Sequence, residues 1–184
     1  MKNLILRFSG ALLMLTGVLQ PVLAAVNLDR TRIIYNASDK SVSVMLENQS
    51  KDLPYLAQVW LENAQGEKIT SPLVALPPMQ RIDAGQKSQI RILQLPEAAT
   101  LPKDRESLFY FNVREVPPKS EMANVMQVAI QSRVKLFFRP AELRKLIKGN
   151  WQEQLQISRL NDGLKLTNPT PFYITVGYLG KDNK

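Results

Sequence analysis

The stretch Val125-Met-Gln-Val-Ala-Ile-Gln-Ser-Arg-Val-Lys-Leu-Phe-Phe138 is the longest strand candidate in the sequence. Apolar residues occupy even-numbered positions of this stretch and are called its apolar row: Met126, Val128, Ile130, Val134, Leu136 and Phe138. A period of two places such residues on one face of an extended chain, so the stretch predicts a long β-strand. The pattern leaves open whether this row is half of a core or an exposed edge that recruits a partner strand. An exposed apolar edge invites aggregation, so a protein that keeps one needs a reason.

Shorter runs of the same kind precede this stretch and are separated by turn residues. They cover residues 28–34, 42–46, 54–63, 87–93 and 108–116. About seven strands at this spacing, over about 115 residues, predict an antiparallel, immunoglobulin-like β-sandwich. The predicted fold class is therefore all-β, with a complete first domain at residues 25–143.

A second, shorter unit is predicted after a linker at residues 144–149. Residues 140–148 have the composition of a short helix that ends at Gly149. Strand patterns resume at 151–158, 164–167 and 172–178, and Asn161-Asp-Gly163 is a hairpin signal. About three strands cannot close a sandwich of about 100 residues. We therefore expect residues 150–184 to form a truncated second immunoglobulin-like domain, with exposed apolar faces and lower stability than the first.

The composition excludes several kinds of function. The 184 residues include no histidine and no cysteine, which removes Cys–His nucleophiles, ordinary zinc sites and disulfides. Hydrophobic residues make up 45%, close to the average of soluble globular proteins, which argues against disorder. The net charge of +8 suits nucleic acid, anionic lipid or an acidic partner, and does not by itself choose among them.

The first 24 residues have the layout of a secretory signal peptide. Lys2 and Arg7 precede an apolar run at 8–19, and small residues lead to a predicted cleavage after Ala24. The alternative is an uncleaved anchor, although the run is shorter than the roughly 20 residues that span a bilayer. Cleavage would leave a mature chain that begins at Ala25 and is exported, so binding to nucleic acid is not expected.

Two basic residues interrupt apolar strand patterns. Arg32 precedes Ile33 and Ile34, and Lys135 lies between Val134 and Leu136. Charges in such positions cost free energy unless they meet water or a partner. The pattern alone is explained by a snorkelling or salt-bridged surface charge. The functional alternative is a pair that holds a chain-terminal carboxylate by charge-assisted hydrogen bonds.

Five segments of the chain resemble one family. They are Leu28-Asp-Arg-Thr-Arg-Ile33, Leu53-Pro-Tyr-Leu-Ala-Gln-Val-Trp60, Asp104-Arg-Glu-Ser-Leu-Phe-Tyr-Phe-Asn-Val-Arg-Glu-Val-Pro-Pro118, Val134-Lys-Leu-Phe-Phe-Arg-Pro140 and Asn168-Pro-Thr-Pro-Phe172. In these segments the chain is similar to the periplasmic pilus-assembly chaperones of the chaperone–usher pathway, in one register from about residue 25 to residue 180. The resemblance implies two immunoglobulin-like domains set at an angle, with a cleft between them. It also implies a periplasmic chaperone that lends a strand to an incomplete pilus subunit, the pilin, and delivers it to an outer-membrane usher.

The resemblance also implies site residues. Arg32 and Lys135 match the pair that binds the pilin's C-terminal carboxylate. Met126, Val128 and Ile130 match the residues that enter the groove left by the pilin's missing strand. In a regular strand Lys135 would point away from these three, so either a twist or bulge lies between them or the two sets use different faces.

Two further pairs are implied by the same resemblance. Glu106 and Arg139 match an interdomain salt-bridge group whose third, acidic member falls beyond residue 184, and Arg139 is therefore predicted to lack a partner. Pro117 and Pro118 match a loop that becomes ordered on subunit binding.

Other functions remain as alternatives. A structural or adhesive β-sandwich of the pilin kind would show an N-terminal donor extension and a cysteine pair, and the sequence shows neither. No carboxylate pair has a spacing that suggests acid–base chemistry, and no G-x-G-x-x-G motif is present, so no enzyme, catalytic residue, metal or cofactor is predicted. A non-functional relic is the remaining alternative, given the short second domain. The exposed strand also offers a route to self-association.

Overall fold

The computed structural model describes residues 24–120, 122 and 124–179. The predicted signal peptide, apart from Ala24, lies outside the described residues. Within them the chain forms twelve strands: β1 (Val26–Leu28), β2 (Arg32–Asn36), β3 (Ser41–Asn48), β4 (Tyr55–Glu62), β5 (Lys68–Ile69), β6 (Leu73–Leu76), β7 (Met79–Ile82), β8 (Lys87–Gln94), β9 (Ser107–Val116), β10 (Gln131–Arg139), β11 (Gln156–Leu160) and β12 (Gly163–Thr167). Short 3₁₀ helices occupy Pro96–Thr100, Ala141–Lys148 and Trp151–Gln154.

The first ten strands form two facing sheets. One has the order β1-β3-β8-β6, and the other has the order β2-β10-β9-β4-β5, with β7 also paired to β4. Most pairings are antiparallel, and the pairing of β10 with β2 is parallel. This arrangement confirms the predicted immunoglobulin-like β-sandwich.

The core lies between the two sheets and follows the period-two pattern of the sequence. β4 alternates in burial, with Ala57, Val59 and Leu61 inside. In β3 and β8 the buried residues include Val44, Leu46, Ile90 and Ile92, which face the same interior. Burial of such aliphatic side chains stabilises the fold by about 1.5–3 kcal/mol each. With no disulfide, this core carries the stability of the sandwich.

The predicted strand at 125–138 is shorter in the structure. β10 begins only at Gln131, and residues 125–130 do not form a strand. Val134, Leu136 and Phe138 point into the core, whereas Met126 and Val128 are 88% and 63% exposed. The prediction was wrong at this end because alternation reports an extended backbone and does not by itself supply a neighbouring strand.

The described residues after the first sandwich contain one hairpin. β11 and β12 pair antiparallel around Asn161 and Asp162, as the turn signal predicted, and every residue in both strands is exposed. One strand prediction was wrong here, and the strand predicted at 151–158 is present only from Gln156. Residues 151–154 form a 3₁₀ helix, and residues 172–178 form no strand among the described residues. The helix predicted at 140–148 is present, with 3₁₀ geometry.

Candidate functional site

The parallel pairing of β2 with β10 brings Arg32 and Lys135 side by side. The two residues are direct partners across the strands, although 103 positions separate them in the sequence. Their neighbours Ile33 and Leu136 are buried in the core, so Arg32 and Lys135 project from the outer face of the sheet. The structure thus places two cations together at the point where β2 begins.

A segment from beyond the first sandwich lies over this outer face. The Nζ of Lys135 donates a hydrogen bond of 3.0 Å to the Oγ1 of Thr175. Two residues along β10, the ring of Phe137 stacks on that of Tyr173, with centroids 5.5 Å apart. The Lys135 ammonium is therefore oriented by a hydroxyl from outside the first sandwich. Neither Thr175 nor Tyr173 was identified from the sequence. The signal available there was their spacing of two positions in the 172–178 run, which places both on one face of an extended chain.

A buried ion pair fixes this segment to the sandwich. The Nη2 of Arg139 lies 2.7 Å from the Oε1 of Glu106, and the two side chains are 11% and 1% exposed. The other oxygen, Oε2, accepts a hydrogen bond of 2.8 Å from the backbone N–H of Tyr173, and the N–H of Glu106 donates to the carbonyl of Pro171. The guanidinium also lies over the ring of Phe172, 5.2 Å from its centroid. The prediction that Arg139 lacks a partner is wrong, because Glu106 alone satisfies it.

The three apolar residues matched to the groove lie just before β10. Met126 and Val128 are exposed, and Ile130 is half-buried. The segment is attached at its two ends: Gln127 donates to the carbonyl of Pro118, and the carbonyl of Ile130 accepts from the N–H of Glu115. Within β10 the register with β9 is continuous, so Lys135 and the apolar row of β10 use opposite faces of the sheet.

The outer face beside this pair is basic and aromatic. Arg133 lies 3.5 Å from the ring centroid of Tyr110 and donates to Glu62 at 2.9 Å. Arg114 and Lys68 both lie over the ring of Trp60, at 5.3 Å and 5.0 Å. Cations over aromatic faces are attracted by the ring quadrupole, so these side chains hold defined positions.

Glu62 is the carboxylate within this basic surface. Burial by itself raises the pKa of Glu62, but the hydrogen bonds from Trp60 and Arg133 outweigh it, and the net effect lowers the pKa below its usual value of 4.5. Glu62 is therefore ionised at neutral pH and fixes the Arg133 guanidinium.

Two kinds of feature are absent from the described residues: a metal-binding cluster and a membrane-spanning helix. In the described ranges no cluster of three or more acidic side chains could hold a metal ion. None of the helices there is long and apolar enough to cross a bilayer.

Comparison with known proteins gives consistent matches along the chain. Residues 25–144 match a family model described as "Pili and flagellar-assembly chaperone, PapD N-terminal domain". Residues 150–184 match one described as "Pili assembly chaperone PapD, C-terminal domain". The first match spans well over half of the chain.

Individual relatives agree with these matches. Chaperone protein PapD of Escherichia coli is 50% identical over 162 residues, covering 88% of this chain and 68% of that protein. Chaperone protein PmfD of Proteus mirabilis is 51% identical over 170 residues, covering 92% of this chain and 66% of that protein. The chain thus spans about two thirds of the length of these relatives.

Solved structures show the same architecture. A chain from the Salmonella enterica SafA pilin in complex with the SafB chaperone aligns with a TM-score of 0.73 and 30% identity, covering 86% of this chain and 74% of that one. The Escherichia coli chaperone DraB aligns with a TM-score of 0.71 and 30% identity, covering 84% of this chain and 73% of that one. The chain therefore belongs to the PapD family of pilus-assembly chaperones.

Proposed function

We propose that this protein binds a pilus subunit in the periplasm, holds its C-terminal carboxylate between Arg32 and Lys135, and lends it the segment 125–130 as a strand. The observation that carries the proposal is the register of β2 against β10, which places the two cations together. The proposal includes delivery of the subunit to an outer-membrane usher, as the family relationship suggests.

The charges of the pair suit a carboxylate. An Arg guanidinium and a Lys ammonium together offer several N–H donors and two positive charges, and hydrogen bonds between ionised groups are about twice as strong as neutral ones. Thr175 holds the Lys135 ammonium, while the Arg32 side chain is exposed. A terminal carboxylate is the charged group that a backbone carries at the C-terminal end of an added strand.

The open flank of β10 supports strand addition next to this pair. One flank of β10 pairs with β9 from Gln131 onward, whereas β2 covers the other flank only from Lys135 to Arg139. Among the described residues, the flank before Lys135 is therefore free on the side of β2. A peptide added there would lie in line with β2 and end at Arg32, which requires it to run parallel to β10. The carboxylate then fixes its register, and a slip by one residue would turn every side chain to the wrong face.

The apolar side chains of the segment suit the groove of an incomplete sandwich. Met126 and Val128 are exposed large apolar residues, and exposed apolar surface of this kind is stabilised when a partner covers it. Strand addition also satisfies backbone groups that neither protein pairs alone. The relative solved with the SafA pilin is a chaperone–pilin complex, which supports a pilin as the partner.

Calorimetric titration of the mature chain, Ala25 to Lys184, with a synthetic C-terminal pilin peptide tests the proposal. Arg32→Ala and Lys135→Ala are each expected to weaken binding by about 2–5 kcal/mol, because the carboxylate loses a charged partner. An Arg91→Ala variant is the matched control, since Arg91 is an exposed residue of β8 on the opposite sheet. The same peptide with an amidated C-terminus should bind as weakly to the wild type as the acid binds to the variants. Equal affinity for acid and amide peptides would reject the carboxylate site, and no binding by a folded chain to peptides from several pilins would reject the function.

A further inference from the structure

Glu115 is a buried carboxylate that the proposed function does not use. It lies near the end of β9 and is 5% exposed. Its Oε2 accepts a hydrogen bond of 2.9 Å from the backbone N–H of Val26, 89 positions earlier in the sequence. The carboxylate therefore attaches the start of β1 to the opposite sheet.

Among the described residues, the Glu115 carboxylate has one neutral hydrogen-bond donor and no cationic partner. Among the described residues no Lys or Arg nitrogen lies within 4.0 Å of its carboxylate. Burial of an ionised carboxylate without a compensating cation costs free energy, so such groups are normally paired. Oε1 accepts no hydrogen bond from the described part of the chain.

The missing charge has a source next to Val26. Cleavage after Ala24 would turn the backbone nitrogen of Ala25 into an ammonium group, within about 4 Å of the Val26 nitrogen along the chain. The carbonyl of Ala25 is fixed by a hydrogen bond of 2.7 Å from the N–H of Gln49. Once the peptide bond before Ala25 is cut, rotation about the Cα–C bond of Ala25 moves its amino group and leaves its carbonyl in place. The ammonium can then turn toward Oε1 of Glu115.

We propose that Glu115 is the receptor for the α-ammonium group that signal-peptide removal creates on Ala25. The backbone N–H of the same residue also donates to the carbonyl of Ile130, at the base of the exposed segment 125–130. Glu115 thereby joins the new amino terminus to the point where that segment leaves the sheet. Removal of the signal peptide then gives the Glu115 carboxylate a cationic partner, whether or not a pilus subunit is bound.

A double-mutant cycle on the mature chain tests this pairing. One set of chains begins at Ala25, and a second set carries Gly-Ser-Gly before Ala25, which moves the ammonium away. Both are made with the natural sequence and with E115Q, and urea unfolding gives each folding constant. The extension is expected to lower the folding constant roughly tenfold in the natural sequence, as loss of a charged hydrogen bond does, and less than about twofold with E115Q. Equal factors in the two backgrounds would overturn the proposal.

Two further measurements keep the test decisive if E115Q does not fold. Acetylation of the Ala25 amino group in the natural mature chain removes the charge without adding residues, and should lower the folding constant by a similar factor. An unchanged constant overturns the proposal. Mass spectrometry of the exported protein should find Ala25 as the first residue, and a different amino terminus would equally overturn it.

Discussion

At the scale of single residues, Thr175 holds the ammonium of Lys135, one of the two cations of the proposed carboxylate site. Lys135 has a flexible four-carbon side chain, and holding its ammonium in one place costs rotamer entropy. The 3.0 Å hydrogen bond to Thr175 meets that cost before a carboxylate arrives. In the proposed site Thr175 is thus a positioning residue, which acts through Lys135 and need not touch a bound carboxylate.

Thr175→Val keeps the shape of the side chain and removes the hydroxyl. We expect affinity for the free-acid pilin peptide to fall by about 0.5–1.5 kcal/mol, the usual value of one hydrogen bond, with no change in stability because Thr175 is exposed. Titration calorimetry with acid and amide peptides checks this, since only the acid should be affected. Thr167→Val, on the exposed β12, is the control. A similar loss for the amidated peptide would show that Thr175 acts on something other than the carboxylate site.

Glu62 gives the outer face a dependence on pH. Its pKa is lowered in the folded state by hydrogen bonds that outweigh burial, so its contribution to stability is complete above the unfolded pKa, near 4.5. As the pH falls, the unfolded chain takes up the proton first, and the contribution disappears as the pH passes through the folded pKa. The wild type should therefore exceed Glu62→Gln in melting temperature at pH 6, and the difference should shrink below pH 4.5. Glu97→Gln, at an exposed site, should differ little at either pH, and a constant gap for Glu62→Gln would contradict the shift.

At the scale of elements, the segment 125–130 shows what sequence periodicity can and cannot predict. The alternation from Met126 to Phe138 predicted a strand, which the structure has from Gln131 onward, and it left open the burial that Leu136 and Phe138 show. It could not predict that pairing starts at Gln131, because that depends on where β9 and β2 begin and end in space. For the same reason, the pairing of Arg32 with Lys135 cannot be derived from spacing alone, and was reached only through resemblance to a family.

Val128→Lys tests the segment as a donated strand. Val128 is 63% exposed, so the stability of the free chaperone should change by less than about 0.5 kcal/mol. In a complex the added ammonium would be buried in an apolar groove, and affinity for an incomplete pilin should fall by more than about 2 kcal/mol. Ala129→Lys is the matched control, since the adjacent residue of a strand points to the opposite face. Equal losses in co-purification and titration would argue against an alternating strand.

At the scale of the whole molecule, the first sandwich and the following chain meet through Glu106. Its carboxylate binds Arg139 by one oxygen and the backbone of Tyr173 by the other, so one buried group orders both neighbours. The family resemblance put Glu106 and Arg139 in one salt-bridge group, but Arg139 was predicted to lack a partner because the third, acidic member falls beyond residue 184. In the structure Glu106, 33 positions earlier, is itself that partner. The second oxygen of Glu106 could not be assigned from sequence, since its donor is a backbone N–H.

Arg139→Met should therefore affect both stability and binding. Removing the guanidinium leaves the carboxylate of Glu106 buried without a cation, which should cost about 3–5 kcal/mol in urea unfolding. Adding Glu106→Gln should recover part of this loss, because a neutral amide oxygen can still accept from Tyr173. Arg105→Met is the control, since Arg105 and Asp104 form an exposed pair whose loss should leave stability nearly unchanged.

The same substitution should weaken the carboxylate site at a distance. Without the guanidinium, the Glu106 carboxylate is no longer fixed toward the backbone N–H of Tyr173. We expect Thr175 then to lose its fixed position beside Lys135, although Arg32 and Lys135 are unchanged. Affinity of Arg139→Met for the free-acid peptide should then drop to that of Thr175→Val, and the two losses should not add in the double variant because they remove the same contact. Titration under conditions where the variant is fully folded measures this. Additive losses would mean that the Glu106–Arg139 pair and the Lys135–Thr175 contact act separately. The segment over the sheet would then be held by other contacts, such as the stacking of Phe137 on Tyr173.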